Sequence, residues 1–366
     1  MLITGAILAI LVLALVLWGR QLSGENLRRY DRDYPQPVAG EPQSAAASAV
    51  DERVRAFGLA GEWSKARKRS LETLRAEMDQ LGAQSPVLSQ CIAVDDGIVR
   101  GEWLIPSPCD TQRRLLYVHG GGFSRGSLAS HRMITDGLAQ KTGMAVFSLD
   151  YRLLPEATLE DAYEDVMTAM LWLSGQGPEG SEEAVTLVLA GDSAGGNLTL
   201  GCLQRARDGG FRCPDAAVAL SPAADLTMSA PSILGNADTD LMLGPPLKPY
   251  LRLHRYLRSV VSRLTLKTSP ADPKFSPLHG DLASLPPTLI QVSLTEMLLD
   301  DAIRYHHKAE EAGSTVVLET FANMVHVWPL FYPELPEAVV ALERIAAFLV
   351  AQGCALPSTD RGDCAA

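Results

Sequence analysis

A mostly parallel, doubly wound α/β sheet is the architecture this sequence predicts, on three observations. Short apolar runs bounded by turn residues recur from residue 91 to about 350: RRLLYVHG, MAVFSLDYR, VTLVLAGDS, AAVALSPAAD, TLIQVSLTE and STVVLETF. Most of them are flat and not alternating, as befits strands covered on both faces. Amphipathic stretches lie between them, among others at 156–174, 196–207 and 300–312. Each strand is therefore followed by a crossover helix, and the strands run parallel.

The elements in front of that body read differently. Residues 1–19, MLITGAILAILVLALVLWG, are apolar apart from Thr4 and two glycines. A helix of roughly twenty such residues just spans a hydrocarbon core. No Lys or Arg precedes the run, whereas Arg20, Arg28, Arg29 and Arg32 follow it. That order predicts an uncleaved single-pass membrane anchor with the body on the cytoplasmic side; the alternatives are a signal peptide with a periplasmic or secreted body, or an apolar helix docked on the protein or membrane surface. Residues 20–50 read as a linker, since 33–50 are rich in Pro, Ala and Ser without apolar periodicity. A chain starting near Asp51 is accordingly expected to be soluble and active. From Asp51 to Leu81 the pattern turns helical, with Leu71, Leu74, Met78 and Leu81 on one face. The cluster Lys65, Arg67, Lys68 and Arg69 in this stretch reads as a solvated face.

Within the body, residues 226–280 break the rhythm with many prolines and one clear helix near Tyr250 to Leu266. An excursion of that length between strands predicts a lid more than a passive loop. Residues 351–366 read as a flexible tail. The net charge of −11 argues against nucleic-acid binding, which needs a basic footprint. The six cysteines show neither C-x-x-C spacing nor a histidine at zinc-ligand interval, and read as free thiols.

Gly191-Asp192-Ser193-Ala194-Gly195-Gly196 carries the chemistry. It follows the strand VTLVLA and opens a helix near Asn197. G-x-S-x-G between a strand and a helix forms a sharp turn that exposes the serine, and the glycines are needed because side chains there would collide. Ser193 is thus the expected nucleophile. His119-Gly120-Gly121-Gly122 ends the strand RRLLYV, and its glycines leave backbone N–H groups free to receive negative charge. Gly121 and Gly122, with the N–H of Ala194, are the expected oxyanion donors. The run completes neither G-x-G-x-x-G nor a Walker pattern.

The base should follow the nucleophile and the acid along the chain. His306 and His307 sit inside a helical stretch, whereas His326 follows the strand STVVLETF in a loop, where catalytic groups of α/β sheets gather. His326 is the expected base. For the acid, Glu296, two residues past TLIQVSL, is preferred; Asp225, Asp300 and Asp301 remain open.

HGGGF at 119–123, DYRLLPE at 150–156, GDSAGGN at 191–197, SPL at 276–278 and Glu296 with Asp300 and Asp301 resemble the hormone-sensitive-lipase family of bacterial esterases. The resemblance covers about residues 50–350. It implies an α/β-hydrolase fold with a helical cap built from residues 51–90 and about 226–270, over a catalytic domain at 91–350. It also implies a Ser-His-Glu triad, a small-molecule ester substrate with a short acyl chain, and neither metal nor organic cofactor. One departure stands out: Val327-Trp328 follows His326 where many relatives have Gly-Phe. An amidase or deacetylase would use the same triad, and a non-catalytic hydrolase-like binding protein would lack a member of it. Oligomeric state is not legible in the residues.

Overall fold

The six flat apolar runs become six strands of one eight-stranded sheet, whose two further strands, Gln90–Asp95 and Arg100–Ile105, carry no such run. The structure is a computed structural model; it describes residues 2–56, 70–81 and 85–357, with side chains from residue 12 onward. The strands are β1 (Gln90–Asp95), β2 (Arg100–Ile105), β3 (Asp110–Val118), β4 (Met144–Leu149), β5 (Thr186–Asp192), β6 (Ala216–Leu220), β7 (Thr288–Ser293) and β8 (Val316–Phe321). Their order across the sheet is β1-β2-β4-β3-β5-β6-β7-β8. The pairings β1–β2 and β2–β4 are antiparallel, and every later pairing is parallel.

The helices α1 (Leu2–Gln21), α2 (Ala45–Ala56) and α3 (Leu71–Leu81) precede the sheet; α4 (Leu128–Thr142), α5 (Leu159–Gly175), α6 (Ser193–Gly209) and α9 (Leu299–Glu311) cross between strands, α7 (Gly244–Leu251) and α8 (Arg255–Leu266) lie in the excursion, and α10 (Pro336–Ala351) follows the last strand. Alternate residues of β3 face opposite cores. Leu116 and Val118 pack with Leu159, Tyr163, Leu198 and Ile303 of α5, α6 and α9. Leu115 and Tyr117 pack with Ile134, Leu138, Leu342 and Ile345 of α4 and α10. Burial on both faces is why the strands show no apolar–polar alternation. Helix starts are set locally: the hydroxyls of Ser127 and Thr158 each accept from the backbone N–H three residues on, and each cap's own N–H donates to that residue's side chain.

The expectation of a linker over residues 20–50 is corrected. Leu22, Leu27 and Tyr30 are buried. Asp31 Oδ1 accepts from Arg304 Nε at 2.6 Å, and Glu25 accepts from Lys308 Nζ at 2.6 Å. Val38 N donates to Thr320 O at 2.8 Å and Ala322 N to Ala39 O at 2.9 Å, so the segment covers the open edge of β8. The Ala-rich stretch that lacked obvious periodicity is helix α2, capped by Ser44, with Ala47, Val50 and Val54 buried. Small residues pack closely but leave little hydropathy contrast to read.

Helix α1 covers the expected anchor. Its Gly19 lies against Tyr256 of α8, where an added Cβ would stand 2.1 Å from the Tyr256 carbonyl oxygen. Val12, Leu13, Leu15, Leu17 and Trp18 are exposed. Among the described residues no helix is long and apolar enough to cross a membrane; the side chains of residues 1–11, more than half of the expected anchor, lie outside them. Lys65, Arg67, Lys68, Arg69 and residues 358–366 also lie outside the described residues; the expected flexible tail from residue 351 is corrected in its described part, where Cys354 and Ala355 are buried and Arg113 donates to Gly353 O at 2.7 Å.

Removing residues 1–50 therefore strips packing from the body. Burial of Leu22, Leu27 and Val50 contributes roughly 1.5–3 kcal/mol each. A chain starting at Asp51 should unfold at a clearly lower urea midpoint than one starting at Leu22. Equal midpoints in side-by-side denaturation would show that this packing carries no stability.

Candidate active site

The turn between β5 and α6 sets the geometry. Ser193 takes φ 51°, a left-handed conformation that costs a non-glycine residue strain. A Cβ on Gly195 would stand 2.0 Å from the carbonyl oxygen of Val118, so α6 reaches β3 only because that side chain is missing. The strain turns the Ser193 hydroxyl towards the ends of β7 and β8, where Glu296 and His326 follow the strands.

The structure brings these three together. His326 Nε2 lies 2.9 Å from Ser193 Oγ, and His326 Nδ1 lies 3.2 Å from Glu296 Oε2. A carboxylate only accepts, so Nδ1 carries the proton and Nε2 presents its lone pair to the serine hydroxyl. Both His326 and Glu296 are buried. Burial pushes the Glu296 carboxyl above its ordinary range, opposed by bonds from His326 and Ser221. Burial would lower His326, but its hydrogen bond to Glu296 and that group's charge outweigh it and raise the imidazole.

The other acid candidates do not meet His326. Asp225 accepts from Thr227 Oγ1 at 2.8 Å, Ser229 Oγ at 2.7 Å and His279 Nε2 at 3.1 Å. Burial would raise its pKa, yet those bonds and the His279 charge hold it below the ordinary range. Asp300 accepts from Ser232 N at 2.6 Å, and Asp301 from Asp225 N at 2.9 Å. They organise the excursion after β6.

Several supporting residues escaped the sequence reading. Ser221, at the end of β6, donates to Glu296 Oε2 at 2.8 Å and accepts from Val327 N at 3.3 Å, bridging acid and histidine loops. Asn236 Nδ2 donates to the carbonyls of Leu294 and Glu296 at 3.0 and 2.8 Å. Asp192, next to the serine, accepts from Tyr117 Oη at 2.8 Å and Gly120 N at 2.9 Å. It thereby ties the glycine loop to the turn. Its place inside the motif was a signal; Ser221 and Asn236 lie in loops with no motif to mark them.

The glycine loop is held as a unit. His119 stacks on Tyr151 with ring centroids 4.4 Å apart, donates from Nδ1 to Gly120 O at 2.8 Å, and its own carbonyl accepts from Tyr151 Oη at 2.9 Å. Burial, with neighbouring His131, lowers His119 to about 3, so it is a neutral prop. Gly121 and Gly122 take φ 116° and 62°. Among the described residues, the N–H groups of Gly121, Gly122 and Ala194 donate to no turn or loop carbonyl.

Above these groups opens a cavity. Gly121, Gly122, Ser193 and His326 line its floor, and Leu74, Glu77 and Met78 of α3 face Met242, Leu243 and Leu330 across it. Ala194 is not on the wall but buried beneath. Arg75 fixes α3 over the glycine loop, donating to Ser124 O at 2.8 Å, Leu154 O at 3.0 Å and the Glu156 carboxylate at 2.8 Å.

Residues 115–330 match the family described as alpha/beta hydrolase fold. An acetyl-hydrolase of Streptomyces hygroscopicus is 40% identical over 254 residues, 69% of this chain and 80% of that one. An esterase of Acinetobacter venetianus is 34% identical over 250 residues, 68% of this chain and 78% of that one. Among solved structures, EstE5 soaked with p-nitrophenyl butyrate gives a TM-score of 0.74 at 30% identity, covering 85% of this chain and 100% of that one. An esterase from the bacterial hormone-sensitive lipase family gives 0.73 at 32%, covering 84% and 98%.

The contact between Glu296 and His326 has a direct reading. Followed by NMR, the His326 imidazole should titrate above the ordinary histidine value of about 6.5. Glu296→Gln should move that midpoint down, and Asp300→Asn should leave it in place. An unmoved midpoint in Glu296→Gln would mean that the pair is not coupled.

Proposed function

This chain belongs to the α/β-hydrolase family, with the bacterial hormone-sensitive-lipase-type esterases, and from that premise we propose that it hydrolyses short-chain carboxylic esters through Ser193, His326 and Glu296. The line from Ser193 Oγ to His326 Nε2 to Glu296 Oε2, at 2.9 and 3.2 Å, carries this reading. An esterase is what the relatives are; the triad and the acyl length are our additions.

The mechanism follows from proton positions. His326 accepts the Ser193 proton at Nε2 as Oγ attacks the ester carbonyl. Glu296 stabilises the imidazolium through Nδ1–H and keeps the tautomer that leaves Nε2 free. The N–H groups of Gly121, Gly122 and Ala194 receive the oxyanion, and each such donor is typically worth about 10²–10³ in rate. The alcohol departs with the proton from His326. Water then repeats the sequence on the acyl-serine, and His326 returns the proton to Ser193.

Substrate length follows from the walls. Leu74 and Met78 of α3 close one side of the cavity, and Arg75 pins that helix to the loop at Ser124. We read α3 and the stretch around Met242 as the cap. A pocket closed by fixed side chains accepts added methylenes only until it is full. The acetyl-hydrolase relative supports the small end of that range.

A panel of p-nitrophenyl esters tests both parts. Activity should peak at acyl chains of roughly two to eight carbons and fall beyond, as a closed pocket requires. Ser193→Ala should abolish it throughout while retaining the native circular dichroism spectrum. Rates rising towards long acyl chains would overturn the size argument, and turnover in Ser193→Ala the assignment of the nucleophile.

A further inference from the structure

His306, His307 and Glu310 of α9 take no part in the proposed hydrolysis. Glu310 stands four residues after His306 and three after His307, the two spacings that share a helix face. The ligand atoms of all three lie within 4.8 Å of one another. We propose that His306, His307 and Glu310 bind a divalent transition-metal ion and that this ion fastens the N-terminal segment to α9.

The tautomers carry the argument. His306 Nδ1 lies 2.8 Å from the carbonyl oxygen of Val316. A carbonyl can only accept, so Nδ1 bears the hydrogen and Nε2 is left with a lone pair. That Nε2 is 3.3 Å from Glu310 Oε2. His307 mirrors it: Nε2 lies 2.9 Å from the carbonyl oxygen of Asp33 and bears the hydrogen, which leaves Nδ1 bare, 3.5 Å from the same Glu310 Oε2. Two imidazoles thus aim bare nitrogens at one carboxylate oxygen.

When the imidazoles are neutral, three electron-rich atoms face each other, and a cation between them removes the repulsion. Doubly protonated rings would satisfy the carboxylate too, but that places two positive rings with centroids 4.8 Å apart on one acid. A ring nitrogen that donates to a backbone carbonyl while its partner nitrogen faces a ligand position is the arrangement metal-binding histidines adopt. Two imidazoles and one carboxylate suit zinc, cobalt or nickel and not magnesium or calcium, which prefer oxygen.

The consequence lies in Asp33. The carbonyl that orients His307 belongs to the segment already tied to α9 by Glu25–Lys308, Asp31–Arg304 and Arg32–Glu311. A metal that fixes the His307 ring also fixes its Nε2–H, the donor to that carbonyl. This does not depend on the esterase mechanism.

The full chain in mild detergent, titrated with cobalt(II) above neutral pH, tests the proposal. One ion per chain should bind, with visible d–d absorption and a rise in Tm. Glu310→Gln keeps both imidazole–carbonyl bonds, so it separates loss of metal from loss of docking; it and His306→Ala should each weaken binding at least about 10-fold. His254→Ala, on an exposed histidine elsewhere, should bind as the parent does. Binding unchanged in Glu310→Gln and in the double variant His306→Ala/His307→Ala would overturn the site, as would no saturable binding tighter than about 1 mM in the parent.

Discussion

The carboxylate of Glu296 is buried among β6, β7 and the histidine loop, and the arrangement around Ser193 depends on how its charge is satisfied. One oxygen, Oε2, takes bonds from both His326 and Ser221, while Oε1 accepts none from a described residue. An unpaired buried charge would cost several kcal/mol, so the acid holds its partners as firmly as they hold it. Ser221 extends the hold to Val327, and Asn236 ties down the backbone of the acid's own loop. Glu296 and Ser221 therefore position His326 and its loop before any substrate arrives, the preorganisation that its proposed role as a base requires.

A second constraint meets the first at Ser193. The turn from β5 to α6 stores strain in φ 51° at the serine, and Asp192 converts that turn into an anchor for the glycine loop through Gly120. The proposed nucleophile and oxyanion donors are thus fixed to one another by a single carboxylate. The same loop receives Arg75 of α3 at Ser124, so the wall that limits the cavity is braced against the groups at its floor. Proposed chemistry and proposed selectivity share one scaffold.

Much of this was legible in the residues, for reasons that can be named. Strands buried on both faces announce themselves as flat apolar runs, which give the six parallel strands; the antiparallel β1 and β2 escaped because β1 is largely exposed and neither forms such a run. Ser193 and the glycine loop stand in motifs whose residue types are forced by sterics. His326 and Glu296 were found by chain order and by their place at strand ends, and the structure puts them in contact. Ser221 and Asn236 were not, because a hydroxyl or amide in a loop looks the same whether it supports a site or faces water. The segment 20–50 misled for a related reason: its bonds to β8 use backbone groups and its helix buries alanines, neither of which leaves an apolar pattern. The pairing of His307 with Asp33 joins positions far apart in sequence, and no local periodicity encodes it.

The account stands on Glu296 acting through His326, and a double-mutant cycle on kcat tests that most directly. Glu296→Gln and His326→Ala are measured singly and together. If the carboxylate works only by orienting and stabilising the imidazole, the double variant should be no slower than His326→Ala alone, as residues that act as one unit are strongly non-additive. Losses that multiply in the double variant would contradict the account and give Glu296 a role separate from His326.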